Sequence, residues 1–352
     1  MTRRLFVLAV PLALLGGCCY QSVPSSSGSS GGSTGGASGP AAASSGSTSG
    51  GGTTGGSSGG VATSGGGSTS GGVTSGGSPD AGPLLGLVDF EKVVTQLGQF
   101  GGGTQTAFTA SAYFGSALPP SSEALLASCA GGIRSGACCY LPTATGLDAG
   151  FPTGGSANAG DIALTGAGGA ALGTLAYGSS SQSYPLLSSC GYTGAPSSCD
   201  AALGWDGGAS LTASAAGAAV GPFSASIDAT ADFAGLSPSF SSQVAVPLSG
   251  DFTVSWLPAA GSATPTVTLL LTAQSCSLPS TSDGLVFCET ADSSGTVTVP
   301  GALLAHFHDK DVGGAILVRR GELKSQLPDA QLTVGSGATT AGVASYGSAC
   351  VP

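Results

Sequence analysis

The sequence predicts an all-β fold: an antiparallel β-sandwich architecture in two packed domains, the second of immunoglobulin-like size, behind a disordered N-terminal tether. Three observations carry this expectation. From Leu84 onward, short segments rich in Val, Thr and Leu alternate apolar with polar side chains, the period of a half-buried strand. Gly, Ser, Pro and Asp recur between those segments as turn formers. Charged residues make up only 7% of the chain while 63 residues are glycine, so hydroxyls, amides and backbone must keep it in solution.

The chain divides by composition into 1–17, 18–83, 84–241 and 242–352. Residues 1–17 have the three parts of an export signal. Arg3 and Arg4 are its positive region, Leu5 to Leu15 its apolar core, and Gly16 and Gly17 its small residues before the cleavage point. That core is too short to span roughly 30 Å of hydrocarbon as a permanent helix. From Cys18 to residue 83 the chain is almost all Gly, Ser, Thr and Ala, with no charge before Asp80. Such a segment buries too little apolar surface to offset its conformational entropy and is expected to be disordered. A coil of about 60 such residues has an r.m.s. span near ~40–45 Å. Gly55-Gly56-Ser57-Ser58-Gly59 matches a hydrolase elbow as text, but it lacks the strand and helix that motif needs.

The first folded part, 84–241, carries strand signals at Leu87–Val94, Thr106–Phe114, Asp161–Leu164, Leu172–Tyr177, Ser210–Ala215 and Phe223–Phe233. One short helix is expected over Glu123 to Cys129, capped by Ser121 or Ser122 and ended by Gly131-Gly132. The second, 242–352, carries cleaner signals at Gln243–Leu248, Phe252–Leu257, Thr266–Thr272, Leu285–Glu289, Thr296–Val299, Ile316–Arg319 and Gln331–Val334. A further strand is expected within Thr339–Tyr346. That spacing suits a sandwich of immunoglobulin-like size. One continuous sandwich over both parts is the alternative partition. Within Phe252–Trp256 the residues 252, 254 and 256 should face a core, which makes Trp256 an anchor rather than a ligand platform.

The chain holds ten cysteines, a number that points to an oxidising compartment. With Cys18 set aside, nine remain. Cys190 and Cys199 bracket a Gly/Pro/Ser loop and are expected to pair. Cys276 and Cys288 flank the turn signal Asp283-Gly284 and are expected to pair across it. Cys129 should meet Cys138 or Cys139, leaving the other for Cys350. No C-x-x-C spacing occurs, so a zinc ribbon is not indicated.

The only histidines are His306 and His308, in His306-Phe307-His308-Asp309-Lys310-Asp311. On a strand they would share a face with two carboxylates nearby, a weak donor set for a divalent metal. Lys310 inside the cluster opposes a cation, and a polar loop after a short helix is the plainer assignment. A serine triad needs one of these histidines as its base, and no serine sits in a strand–turn–helix setting. Glu123, Asp161, Asp206, Asp228 and Asp232 are available as glycosidase carboxylates but read as solvated surface. Gly166–Ala171 leads from strand to strand, which makes it a turn rather than a dinucleotide loop. Asp148, Asp161 and Asp283 sit beside glycines without a calcium-loop pattern and read as turn residues. The net charge of −10, without basic clusters, disfavours nucleic acid.

The ending Leu15-Gly16-Gly17-Cys18 resembles the lipobox of bacterial lipoproteins. The resemblance implies cleavage before Cys18, a thioether-linked diacylglycerol on its sulfur and an acylated amino group. Together these chains give stable anchoring where one gives only marginal binding. In that family's sorting logic an Asp after the lipidated cysteine favours the inner membrane. Cys19 stands there instead, which points to the outer membrane. The head is also similar to Gly/Ser-tethered β-rich lipoproteins of myxobacteria. The likeness rests on Asp251–Trp256, on Cys276 and Cys288 about a hairpin, on Thr296–Pro300 before Leu303-Leu304, and on Trp205–Gly208 with Leu211–Gly217. No catalytic motif belongs to that pattern. The expectation is a lipid-anchored envelope protein with a structural, adhesive or binding role and an envelope or surface partner. It is expected to need no cofactor and to perform no catalysis. The alternative is an extracytoplasmic, metal-assisted enzyme using His306 and His308.

Overall fold

Strands form where the alternation predicts them, and several run longer than the apolar runs alone suggest. In the computed structural model the described residues are 84–96, 103–118, 129–142, 155–189, 202–260, 265–275 and 282–348. The expected export signal, the tether with Cys18, the helix over Glu123–Cys129 apart from Cys129 itself, Asp148, Cys190, Cys199, Cys276 and Cys350 lie outside them.

In chain order the strands are β1 (Leu84–Gln96), β2 (Thr104–Gly115), β3 (Ile133–Ser135), β4 (Cys138–Leu141), β5 (Ile162–Thr165), β6 (Ala171–Leu175), β7 (Leu187–Ser188), β8 (Ser210–Ala215) and β9 (Phe223–Asp228). They continue as β10 (Ala234–Ser237), β11 (Val244–Val246), β12 (Phe252–Leu257), β13 (Thr266–Gln274), β14 (Ser282–Ala291), β15 (Thr296–Val299), β16 (Val312–Gln326) and β17 (Ala330–Tyr346). A single helical turn, α1 (Gly301–Leu304), precedes β16.

The protein is all-β. A ten-stranded sheet has the order β3-β4-β14-β13-β16-β17-β1-β2-β7, with β11 also pairing β17. It draws strands from both the 84–241 and the 242–352 segments. A four-stranded sheet (β6-β5-β8-β9) and a three-stranded sheet (β10-β12-β15) complete the fold. Most pairs are antiparallel, but β1 and β11 both run parallel to β17. The ten-stranded sheet ends in very short strands, β3 and β7, a common way to blunt an edge against association.

One face of the large sheet carries two cores. Val88, Phe90, Phe114, Leu332 and Val334 meet Ile162, Leu164, Leu211 and Phe223 of the four-stranded sheet. Farther along, Val267, Leu269, Leu271, Leu317 and Tyr346 meet Val254, Trp256, Val297 and Leu303. The alternation of β9 and β12 puts Phe223, Ala225, Ile227, Phe252, Val254 and Trp256 into these cores and the Ser and Thr hydroxyls outward. A smaller cluster of Leu141, Leu270, Phe287, Ile316 and Ala341 covers the opposite face.

Two disulfides fasten β4 on both faces. Cys138 bonds Cys288 and Cys139 bonds Cys129. The expected Cys276–Cys288 pair is therefore corrected. Cys288 lies opposite Cys138 on β4 and opposite Leu269 on β13. The same bond removes Cys138 as a partner for Cys350.

Two separate signals, Gln331–Val334 and Thr339–Tyr346, prove to be one strand, β17. Gly335 and Gly337 look like a break in the sequence, yet the ladder to β1 and β16 continues through both. β16 likewise continues past Arg319 through the polar stretch Arg320–Gln326, because β17 pairs with its whole length. β9 is shorter than Phe223–Phe233. Beyond it Thr230 turns to β17, its N–H donating to Ser336 Oγ at 2.8 Å and its hydroxyl to the Ser336 carbonyl at 2.7 Å.

Candidate functional site

The central strand β1 has Val88 and Phe90 in the core, so Asp89 and Glu91 project from the opposite face. The parallel register places Asp89 beside Gly335 and Glu91 beside Gly337 on β17, and the next strand over sets Arg320 beside Gly337. Without side chains at 335 and 337, groups from β1 and β16 meet across β17. Arg320 grips Asp89 with two nitrogens, Nη2 to Oδ1 at 3.0 Å and Nη1 to Oδ2 at 3.1 Å, and its Nε donates to Glu322 Oε1 at 2.9 Å. Thr339 Oγ1 is hydrogen-bonded to Glu91 Oε1. A Cβ at Gly335 would stand 2.6 Å from both Arg320 Nη2 and Asp89 Oδ1, and one at Gly337 would overlap the Glu91 carboxylate.

Three carboxyl groups thus share one guanidinium. Burial first and the Asp89 charge second push Glu91, only 2% exposed, up to about 8 from 4.5, against the opposing pull of Thr339 and Arg320. Burial alone would lower Arg320, but Asp89 and Glu322 overcome it and hold the guanidinium charged. At neutral pH the seam therefore keeps a proton on Glu91 and an ion pair at Asp89–Arg320. Chemically it ties β1, β17 and β16 together and stores a titratable proton. Gly337→Ala should lower stability by about 1–3 kcal/mol through overpacking against Glu91. The urea midpoint reads this, and Gly337→Ala combined with Glu91→Ala should cost less than the two separate changes added together.

A second polar cluster lies on the core face. Arg319 is 1% exposed and Asp292 2%. Arg319 Nε donates to Asp292 Oδ1 at 2.8 Å, Nη1 to the Ala231 and Asp232 carbonyls at 3.0 Å each, and Nη2 to the Leu257 carbonyl at 2.8 Å. Asp292 also accepts from Trp256 Nε1 at 2.8 Å and from Ala259 N at 2.7 Å. The guanidinium carbon stands 4.4 Å from the Phe233 ring centre.

The two histidines make different contacts. His306 stacks on Tyr140, ring centres 4.5 Å apart, whereas His308 is 72% exposed with Nδ1 3.8 Å from Asp311 Oδ2. Among the described residues no group of three His, Cys, Asp or Glu side chains is placed to hold a metal. Trp205 is 8% exposed against Phe90 and Phe108, and Trp256 is 4% exposed, so both are core anchors. Asp161 accepts from Tyr177 N at 3.1 Å, and Asp232 pairs with Lys92 at 2.7 Å. Asp206 and Asp228 are exposed. Gly166–Ala171 forms a tight turn between β5 and β6.

Sequence reasoning missed Asp89, Glu91, Arg320 and Thr339. The available signal was a pair of acids at i and i+2 inside a largely apolar strand, on the face away from Val88 and Phe90. No family model matches the chain, and no curated protein matches it either.

Proposed function

We propose that the chain is a lipid-anchored protein of the bacterial cell envelope. It is held through Cys18, on the outer membrane, and its β-built head serves a structural, adhesive or binding role rather than catalysis. The observation that carries this reading is Leu15-Gly16-Gly17-Cys18 directly after the apolar Leu5–Leu15. Two further observations support it. The head's paired cysteines suit an oxidising compartment. The titratable groups of its central seam are engaged with one another, in the manner of strand-to-strand ties. The proposed partner is a component of the envelope or surface.

Metabolic labelling with palmitate tests the anchor. Wild type should incorporate label and partition with membranes, while Cys18→Ser should do neither. Equal labelling of the two chains would remove the assignment.

A further inference from the structure

We propose that the head is built to bear tension, with β1 as a strand loaded in shear; this rests on the reading above, that the chain is held from its N-terminal side. A pull transmitted along the chain from that side enters the described head at Leu84. There β1 lies inside the sheet rather than at an edge. It pairs parallel with β17 from Leu84↔Ala330 to Thr95↔Ala341, and antiparallel with β2 from Leu85↔Gly115 to Gln96↔Thr104. Leu84 therefore marks one end of the ladder, and the C-terminal end of β17, Tyr346, lies beyond the other. Tension between these two ends acts along the strands. The hydrogen bonds on both sides of β1 then share it and must break together. Tension applied at one end only would open them one after another.

Side chains reinforce the same direction. Glu91 is tied to Thr339 on β17, and Asp89 reaches over Gly335 to Arg320 on β16. On the other face Lys92 Nζ meets Asp232 Oδ2 at 2.7 Å. A slide of β1 by one residue would reverse its faces and put Val88 and Phe90 where Asp89 and Glu91 belong. A slide by two would break each of these ties; it leaves one carboxylate beside a glycine and sets the other against Thr333 or Thr339. Neither slipped register is a resting place. β1 therefore holds its register or leaves the sheet altogether, as a clamp does. The glycines at 335 and 337 are what allow ties across a strand, and they explain why the ladder there carries no side chains of its own.

Single-molecule force spectroscopy on the full chain tests the idea, with Cys18→Ser to remove lipid. One handle sits at the N-terminus. The second follows Pro352 in one chain and replaces the exposed Asp329, in the turn before β17, in the other. Both chains must first show the same urea midpoint. The N- to C-terminal pull should rupture at several-fold higher force than the pull to position 329, which peels β1 and β17 apart from their shared end. Forced unfolding follows the unfolding barrier, so the contrast reads geometry rather than stability. Asp89→Ala with Glu91→Ala should lower the first force and leave the second little changed. Equal forces in the two directions would overturn the proposal, as would a first force that ignores the double substitution. Lipid is absent throughout, so a weak clamp and an unlabelled Cys18 are separate failures.

Discussion

Asp292→Ala is expected to lower the unfolding free energy by about 3–5 kcal/mol, the usual cost of stranding one member of a buried ion pair. The charge left behind is that of Arg319, 1% exposed. Three main-chain carbonyls, of Ala231, Asp232 and Leu257, would still accept from it, but its countercharge would be gone. Trp256 Nε1 would lose its carboxylate acceptor and keep only the Asp292 carbonyl at 3.2 Å. Ala259 N would lose its acceptor too. Against a total stability of roughly 5–15 kcal/mol for a folded domain, this is enough to unfold much of the population on warming. Arg319→Met should cost a similar amount, because Asp292 would then be the uncompensated charge. The two together should cost less than their sum, since neither charge remains alone. Urea unfolding of the four chains in this cycle measures the coupling. If either single change costs under about 1 kcal/mol, the pair is not the node described.

Glu91→Gln should make the protein more stable at pH 8 and remove a pH dependence that the wild type shows. The sign follows from linkage. Glu91 releases its proton near 4.5 in the unfolded chain and near 8 in the folded one. Between those values the folded state binds more protons, so stability falls as pH rises, by up to about 1.4 kcal/mol per pH unit. Below 4.5 the contribution is fully present, and above 8 it is lost and the curve is flat again. The amide keeps the shape and an acceptor for the Thr339 hydroxyl without a charge to bury. The variant should therefore exceed wild type by about 3–5 kcal/mol at pH 8 and match it near pH 4. Urea midpoints from pH 4 to 9 read both ends. A wild-type curve with no slope in this window would mean that Glu91 is solvated in the folded protein.

Strand positions were legible because each small sheet has one wet face and one dry face, and that difference is written as alternation. Phe252, Val254 and Trp256 against Thr253 and Ser255 are the clearest case. The central seam was not legible for the opposite reason. β1 is buried on both faces, so its acids stand in a nearly continuous buried run and lose their period. Gly335 and Gly337 carried a misleading signal. Glycine usually marks a turn or weakens a strand, but here it makes room for side chains arriving from two neighbours. One disulfide was misread for a related reason. Cys276 and Cys288 are close along the chain, whereas Cys138 and Cys288 are close only through register, at a sequence separation of 150.

The sequence by itself determined the all-β class and the burial of Trp256, because both depend on residues near one another in the chain. Tertiary structure alone decided that β1 sits between β2 and β17, that Glu91 keeps its proton, that Arg319 answers Asp292 and that Cys288 bonds Cys138. Pairing between distant strands sets these, and the energy that selects one pairing over another is spread across the whole sheet rather than held in any local motif.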